Sequence, residues 1–167
     1  MVSYSGVQGY YVYRKIDGSG WKRIAKLWGG DKLSFTDRNV ADYNGKLLTY
    51  VVRGFSGDSQ GYYDTNGVSI YRLRKPSIIA KRNNQDNVKI TWSRNGAASG
   101  YVIQYSTNSR FSWAKTIKIT NRTVRSTDLN GLIKGKWYYI RIQSYRTNGN
   151  KNSYSPWTTT KVKIPIT

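Results

Sequence analysis

The sequence of 167 residues contains no cysteine, no histidine and no glutamate, so all eight acidic residues are aspartates. Without cysteine there are no disulfides and no thiol chemistry. Without histidine the chain lacks the commonest general base and the commonest transition-metal ligand. Most hydrolytic mechanisms therefore lack one of the catalytic residues that they use. We therefore predict that the chain is not an enzyme, and that it has no catalytic residues, no metal site and no cofactor.

Long apolar runs are also missing. No stretch approaches the roughly 18 apolar residues of a membrane span, so we predict no membrane insertion. The first nine residues, MVSYSGVQG, lack the charged-then-apolar pattern of a secretion signal. The sequence is therefore expected to be either intracellular or an interior segment of a longer protein.

Positive charge, in contrast, is abundant and uneven. The net charge is +20; residues 1–75 carry twelve Lys/Arg against six Asp, and residues 76–167 carry sixteen against two. A field of this size favours polyanionic partners such as nucleic acid, acidic lipid surfaces or cell-wall polymers, without choosing among them. Nucleic acid is not the expected partner, because no RNA-recognition, helix-turn-helix or zinc-finger pattern occurs.

Strand-type segments dominate the chain. In residues 132–145, LIKGKWYYIRIQSY, alternate side chains from Tyr138 onwards are apolar on one face and polar or aromatic on the other, which is the period of a half-buried strand. Similar runs rich in Tyr, Val, Ile and Thr recur throughout, separated by Asp-Gly, Asn-Gly and Gly-Gly pairs. No amphipathic helix with a capping residue is evident. We predict an all-β protein.

The two halves of the sequence align with each other. Residues 9–12 (GYYV) match residues 100–103 (GYVI) at an offset of 91, and residues 45–46 match residues 135–136 at an offset of 90. A repeat near ninety residues made of short strands predicts tandem β-sandwich modules of immunoglobulin-like size. We place the domains at residues 1–75 and 76–167, with the boundary at Arg-Lys-Pro.

Particular residues give the second half a family resemblance. Trp92 closes one strand, Tyr101 opens the next nine residues later, and Leu132 precedes Tyr138 by six positions. This arrangement resembles a fibronectin type III module, in which the last pair corresponds to the loop leucine and the corner tyrosine whose hydroxyl bonds to nearby backbone. The amino-acid sequences of both halves are similar to those of repeats that form arrays on secreted and cell-surface proteins of Gram-positive bacteria.

The first half departs from the family pattern. Counting back nine residues from Tyr10 reaches Met1 instead of a tryptophan, and Leu48 stands at the corner tyrosine position. We expect strands A and B to be missing, which would leave one sheet face poorly covered. Each apolar side chain left in contact with water would lose roughly 1.5–3 kcal/mol of burial free energy. A second copy of the chain, or a rearranged N-terminus, is expected to cover that face, which carries Tyr10, Val12, Leu48, Tyr50 and Val52.

Strand alternation and the resemblance together predict the structural core. Its members are large apolar or aromatic residues on the inward side of strands. They are Tyr10, Val12, Leu48, Tyr50, Trp92, Tyr101, Ile103, Leu132, Tyr138 and Ile140.

Three tryptophans remain as candidate ligand-binding residues. Trp28 lies in a Trp-Gly-Gly-Asp turn, Trp113 lies in FSWAKT, and Trp137 lies on the face opposite the corner tyrosine, together with Tyr139 and Arg141. Exposed aromatic faces beside polar turns can stack on sugar rings. The alternative is that these side chains cover sheet edges or contacts between modules.

The resemblance implies a non-catalytic role. It favours a spacer or stalk segment of a larger secreted or cell-surface bacterial protein, in contact with neighbouring modules of the same chain. A second interpretation is a binding module for anionic cell-wall polymer or glycan, acting through a basic face and exposed tryptophans. A third is an accessory segment that positions a hydrolase located elsewhere in the parent chain.

Overall fold

A computed structural model describes residues 6–83 and 86–166, which form thirteen β-strands and no helix. Within these ranges, accordingly, nothing is helical and apolar enough to span a bilayer. The all-β prediction is confirmed. The chain divides into two compact units, residues 1–72 and 73–167, so the division falls three residues before the predicted boundary.

Unit 1 is built on one antiparallel sheet. Its strand order is β2-β1-β3-β4, and β5 pairs with the first half of β3. Aromatic and β-branched residues fill these strands because their side chains pack well on a pleated, half-buried surface. The strands are β1 (Gly9–Ile16), β2 (Lys22–Trp28), β3 (Leu47–Ser56), β4 (Ser59–Gln60) and β5 (Val68–Tyr71).

Unit 2 is a sandwich of two antiparallel sheets. One sheet has the order β10-β7-β6; the other has the order β12-β11-β8-β9, with β13 also paired to β11. The strands are β6 (Ile78–Arg82), β7 (Val88–Trp92), β8 (Gly100–Ser106), β9 (Lys115–Ile119), β10 (Ser126–Leu129), β11 (Trp137–Asn148), β12 (Lys151–Tyr154) and β13 (Thr158–Lys163).

The core of unit 2 lies between its two sheets. The indole of Trp92 meets the ring of Tyr101 edge-on, with centroids 5.6 Å apart. The backbone N–H of Ile133 donates to the Tyr138 hydroxyl at 3.0 Å, which is the contact expected of a corner tyrosine. The buried apolar residues of this core are Val88, Ile90, Trp92, Tyr101, Ile103, Leu129, Leu132, Tyr138, Ile140, Ile142 and Ile164.

The sequence repeat corresponds to the same local structure in both units. Gly9 begins β1 opposite Phe55 of β3, and Gly100 begins β8 opposite Tyr145 of β11. In each unit the aromatic ring lies across the glycine, and an added Cβ would clash with a neighbouring carbonyl oxygen and with that ring. Glycine is therefore required at both positions by close approach.

In unit 1 an irregular segment covers the inner face of the sheet. This segment, residues 29–46, contains no strand. Arg14 points from β1 into this face and donates to the Asp37 carboxylate at 2.6 Å and to the Asn39 carbonyl at 3.1 Å. The Tyr50 hydroxyl donates to the same Asp37 oxygen at 3.0 Å. A buried ion pair and a tyrosine thus attach the segment to the sheet.

This cover buries most of the predicted core of unit 1. Tyr10, Val12 and Leu48 are buried, and Tyr50 is half-buried. A groove of about 540 Å³ remains between the segment and Val12, so coverage is incomplete. The sequence led us to expect a poorly covered face, and residues 29–46 are the part of the chain that supplies the cover. Self-association through this unit stays a prediction.

Burial and the ion pair act on the titration of two groups in this network. Burial lowers the pKa of Arg14, but the hydrogen bond and charge of Asp37 raise it by more, so the net direction is upward. Burial, followed by the hydrogen bond to Asp37, raises the pKa of Tyr50 to about 12. Arg14 therefore stays charged and Tyr50 stays neutral at physiological pH.

We predict that Asp37→Ala strongly destabilises unit 1. The side chains of Arg14 and Asp37 are only 8% and 11% exposed, so the substitution leaves an unpaired buried charge. Removing one partner of such a pair costs about 3–5 kcal/mol. The free energy of unfolding is read from native-state amide exchange in β1 and β3. Asp42→Ala, at an exposed position, is the control and should change little.

The double variant Arg14→Met, Asp37→Leu should recover most of the lost stability, because buried ion pairs can often be replaced by apolar pairs. Equal exchange rates in wild type and Asp37→Ala would show that the ion pair does not hold the segment.

Candidate functional site

The outer face of unit 2 is the side of its five-stranded sheet that points away from the three-stranded sheet. Strand alternation places every second side chain there. The register aligns Trp137 with Lys163, Tyr139 with Lys161 and Arg141 with Thr159 on neighbouring strands β11 and β13. The register also places on this face Val102, Gln104, Ser106, Thr116, Lys118, Gln143, Tyr145 and Tyr154.

Arg141 is held at the centre of this face between two aromatic rings. Its guanidinium carbon lies 4.2 Å from the ring centroid of Phe111 and 4.4 Å from that of Trp157. Its Nε and one terminal nitrogen donate to the Gln104 side-chain oxygen at 2.9 and 2.6 Å. A planar guanidinium suits such stacking better than a lysine ammonium. The positive charge is thus fixed in orientation at the sheet surface.

Two lysines of the outer face also lie over rings. The Lys161 ammonium is 4.9 Å from the Trp137 centroid, and the Lys118 ammonium is 5.3 Å from the Tyr145 centroid. Cations within about 6 Å of an aromatic face are attracted to its electron density, at about 0.5–1 kcal/mol for exposed sites.

The sheet that carries this face contains no acidic residue. Asp86 and Asp128, the aspartates of unit 2, lie in a loop and in β10 of the other sheet. Clustered charges of one sign raise the local concentration of an oppositely charged ligand. The seven cations on the strands of this sheet are Lys115, Lys118, Arg141, Arg146, Lys151, Lys161 and Lys163.

Unit 1 presents a similar outer face on its own sheet. The Lys26 ammonium lies 4.0 Å from the Trp28 ring centroid, and the Trp28 ring meets Phe55 edge-on at 5.1 Å. The Phe55 ring stacks on Tyr11 at 4.6 Å, and Arg23 lies 4.9 Å from the Tyr11 centroid. The five strands of this sheet likewise carry six Lys/Arg and no Asp. Both units therefore combine cations with aromatic rings on acid-free sheets.

Trp113 lies elsewhere in unit 2, in the loop between β8 and β9. Its side chain is 99% exposed and stands at the mouth of a cleft of about 430 Å³. Tyr105, Leu132 and Tyr138 line the same cleft. The cleft adjoins the outer face defined above, because its lining residue Ser106 pairs with Tyr139 on β11.

The candidate ligand-binding residues therefore fall into three places. Trp137, Tyr139 and Arg141 share the outer face of unit 2, Trp28 lies on the outer face of unit 1, and Trp113 lies at the cleft. Phe111, Trp157 and Gln104 were not among the candidates, although they fix Arg141. Gln104 could have been found, because strand alternation places it outward; Phe111 lies in a loop and follows no period.

Across the described residues, potential metal ligands do not gather in groups of three or more. The side chains brought together on the outer faces are cations, aromatic rings and amides. Such an arrangement can hold anions and the flat faces of ligands.

The strand order of unit 2 defines an immunoglobulin-like β-sandwich. The family model for "Fibronectin type III domain" matches residues 74–161, which is more than half of the chain. The chain therefore belongs to the fibronectin type III family. No curated protein matches the sequence.

Three solved structures are similar to the chain. A two-domain fibronectin type III segment of chicken tenascin is similar, with a TM-score of 0.50 and 13% identity, covering 94% of this chain and 85% of that one. The FN1–FN3 domains of chicken CNTN1 are similar with a TM-score of 0.46 and 18% identity. The match covers 96% of this chain, which spans 55% of the length of those domains. A computationally redesigned β-sandwich protein is similar with a TM-score of 0.48 and 24% identity, and the match covers 56% of this chain and 91% of that one.

Proposed function

We propose that the chain is a non-catalytic spacer segment of a larger secreted or cell-surface bacterial protein. Domains of the fibronectin type III family typically serve as structural or binding modules, and this fold supports either role. The observation that carries the spacer proposal is that hydrogen bonds hold the backbone of Arg72 within unit 1 and that of Arg74 within unit 2, only two positions apart. The extracellular, Gram-positive context comes from the resemblance of the repeats.

Unit 1 is, in this proposal, a fibronectin type III-like module without strands A and B. The supporting observation is a shared backbone pattern. The Gly45 N–H donates to the Arg72 carbonyl at 2.7 Å, and the Gly135 N–H donates to the Ile164 carbonyl at 3.0 Å. Both glycines have positive φ, of 84° and 77°. A turn of the same kind therefore precedes β3 in unit 1 and β11 in unit 2, which supports the tandem arrangement.

The backbone is anchored on both sides of the division between the units. The Arg72 carbonyl accepts from Gly45 within unit 1, and the Arg74 carbonyl accepts from the Asn95 side chain at 2.9 Å within unit 2. One residue, Leu73, separates these anchored positions. Leu73 itself is buried, so a connection held this closely samples far fewer conformations than a flexible linker of many residues.

We predict a narrow distance distribution between spin labels placed one on each unit. Because the chain has no cysteine, Ser59→Cys and Ser126→Cys, both at exposed positions, carry the only labels. Electron–electron resonance measures the distribution. A Gly-Ser-Gly-Ser insertion between Arg72 and Leu73 is the control and should broaden it. A wild-type distribution as broad as that of the insertion variant would contradict the spacer proposal.

A second candidate function is anchoring to an anionic polymer, and the acid-free outer faces favour it. A surface that served only for solubility would be expected to mix charges of both signs. Here every charged residue on the strands of these two sheets is a lysine or an arginine. On a Gram-positive surface the abundant polyanion is teichoic acid, whose repeated phosphates would meet several of these cations at once.

We predict that the chain sediments with teichoic acid-containing Gram-positive cell wall and is released steeply as salt rises. Each cation that neutralises a phosphate releases a counterion, which gives this salt dependence. The triple variant Lys118→Gln, Lys161→Gln, Lys163→Gln removes cations from the outer face of unit 2 and should weaken retention and flatten the salt dependence.

The matched control removes the same charge from the strands of the other sheet, through Lys81→Gln, Arg82→Gln and Lys89→Gln. These residues are exposed on β6 and β7. Equal loss in both triple variants would mean that net charge alone drives retention. No retention of the wild type at any salt concentration would eliminate the anchoring candidate and leave the spacer.

A further inference from the structure

The loop between β8 and β9 has an unusual backbone. Phe111 and Trp113 have φ values of 59° and 54°, in the left-handed region. Bulky residues rarely adopt this conformation, because the Cβ crowds the backbone, and such outliers persist only where surrounding structure imposes them. Trp113 gains no burial in return, since its side chain is 99% exposed. A residue that strains the fold and packs against almost nothing needs another explanation.

Several hydrogen bonds fix this loop. The Ser106 hydroxyl donates to the Ser112 carbonyl and accepts from the Asn108 N–H, both at 3.0 Å. The Asn108 side-chain oxygen accepts from the Arg110 N–H at 2.7 Å, and the Asn108 carbonyl accepts from the Phe111 N–H at 3.0 Å. The indole of Trp113 is therefore presented by an ordered backbone.

The contact of Phe111 with Arg141 adds a second constraint. The ring of Phe111 lies 4.2 Å from the guanidinium carbon of Arg141, on the rigid strand β11. This contact accounts for the left-handed conformation of Phe111, which turns its ring onto the sheet. It does not account for Trp113, two residues further on, whose indole points to solvent.

The cleft beside Trp113 has the composition of a small-ligand site. Its inner wall is formed by Tyr105, Leu132 and Tyr138, and its volume of about 430 Å³ falls within the roughly 300–1,000 Å³ typical of such sites. The rim is polar, with hydroxyl, amide and ammonium groups from Ser106, Thr107, Asn108, Ser112 and Lys115. A pyranose ring has a flat face of C–H groups and an edge that carries hydroxyls. The flat aromatic surface of the cleft suits the C–H face, and the hydrogen-bonding groups of the rim suit the hydroxyls.

We propose that this cleft is a carbohydrate site, in which a pyranose ring stacks on Trp113 and the polar rim binds its hydroxyls. Stacking on an indole buries apolar C–H surface without any charge on the ligand. The site lies beside the outer face of unit 2 and acts through different forces. Its occupancy is therefore nearly independent of salt, in contrast to polyanion binding.

The experiment titrates the ¹⁵N-labelled chain with neutral tetrasaccharides of N-acetylglucosamine, glucose and mannose. We expect at least one of them to shift the Trp113 indole N–H and the amides of residues 106–115 saturably. The dissociation constant should change little between about 50 and about 500 mM NaCl, because no counterions are released. Trp113→Ala should weaken binding about tenfold or more, equivalent to about 1.4 kcal/mol.

Two further variants separate binding from folding. Trp113→Asn suits the left-handed backbone better than tryptophan does, so it should keep or raise the stability of unit 2 while losing the sugar. Trp137→Ala, on the outer face, should bind the sugar as wild type does. The proposal is overturned if none of the three sugars shifts these resonances, if binding survives Trp113→Asn, or if Trp137→Ala abolishes it.

Discussion

Cations lying against aromatic rings determine what the two units present to their surroundings. A sheet with large aromatics on its outward side would expose apolar surface, and here the charged groups of lysine and arginine lie over those rings. Arg141 is held between Phe111 and Trp157, and Lys26 lies over Trp28. The rings in turn fix the charges in place. The same contacts therefore protect the sheets and organise their positive charge, which is why scaffold and candidate site coincide on these faces.

The two units cover their inner faces in different ways. Unit 2 uses a second sheet, and apolar and aromatic side chains pack between the two sheets. Unit 1 uses the segment of residues 29–46, which has no strand to align it with the sheet. The ion pair of Arg14 with Asp37 supplies that alignment, because a buried charge tolerates few positions for its partner. The first unit thus depends on a specific polar contact where the second depends on packing.

The fold was largely predictable from the sequence, and the site was predictable only in part. Period-two alternation predicts the strands, because burial on one face imposes that period. The resemblance that Trp92, Tyr101 and Tyr138 carry implies the sandwich. Alternation also places Arg141 outward. It cannot indicate that Phe111 reaches Arg141, or that Asp37 meets Arg14, because both contacts join a strand to a loop without periodicity. The strain at Trp113 is likewise a property of backbone angles that no residue pattern specifies.

The most direct test of this account is to map where an anionic wall polymer touches the chain. Purified teichoic acid is titrated into the ¹⁵N-labelled protein, and backbone amide and arginine Nε resonances are followed. The account predicts shifts concentrated on the outer-face residues of β8, β9, β11 and β13, with the Arg141 Nε among the largest. Shifts concentrated on β6, β7 and β10, or spread evenly over all exposed lysines, would contradict it.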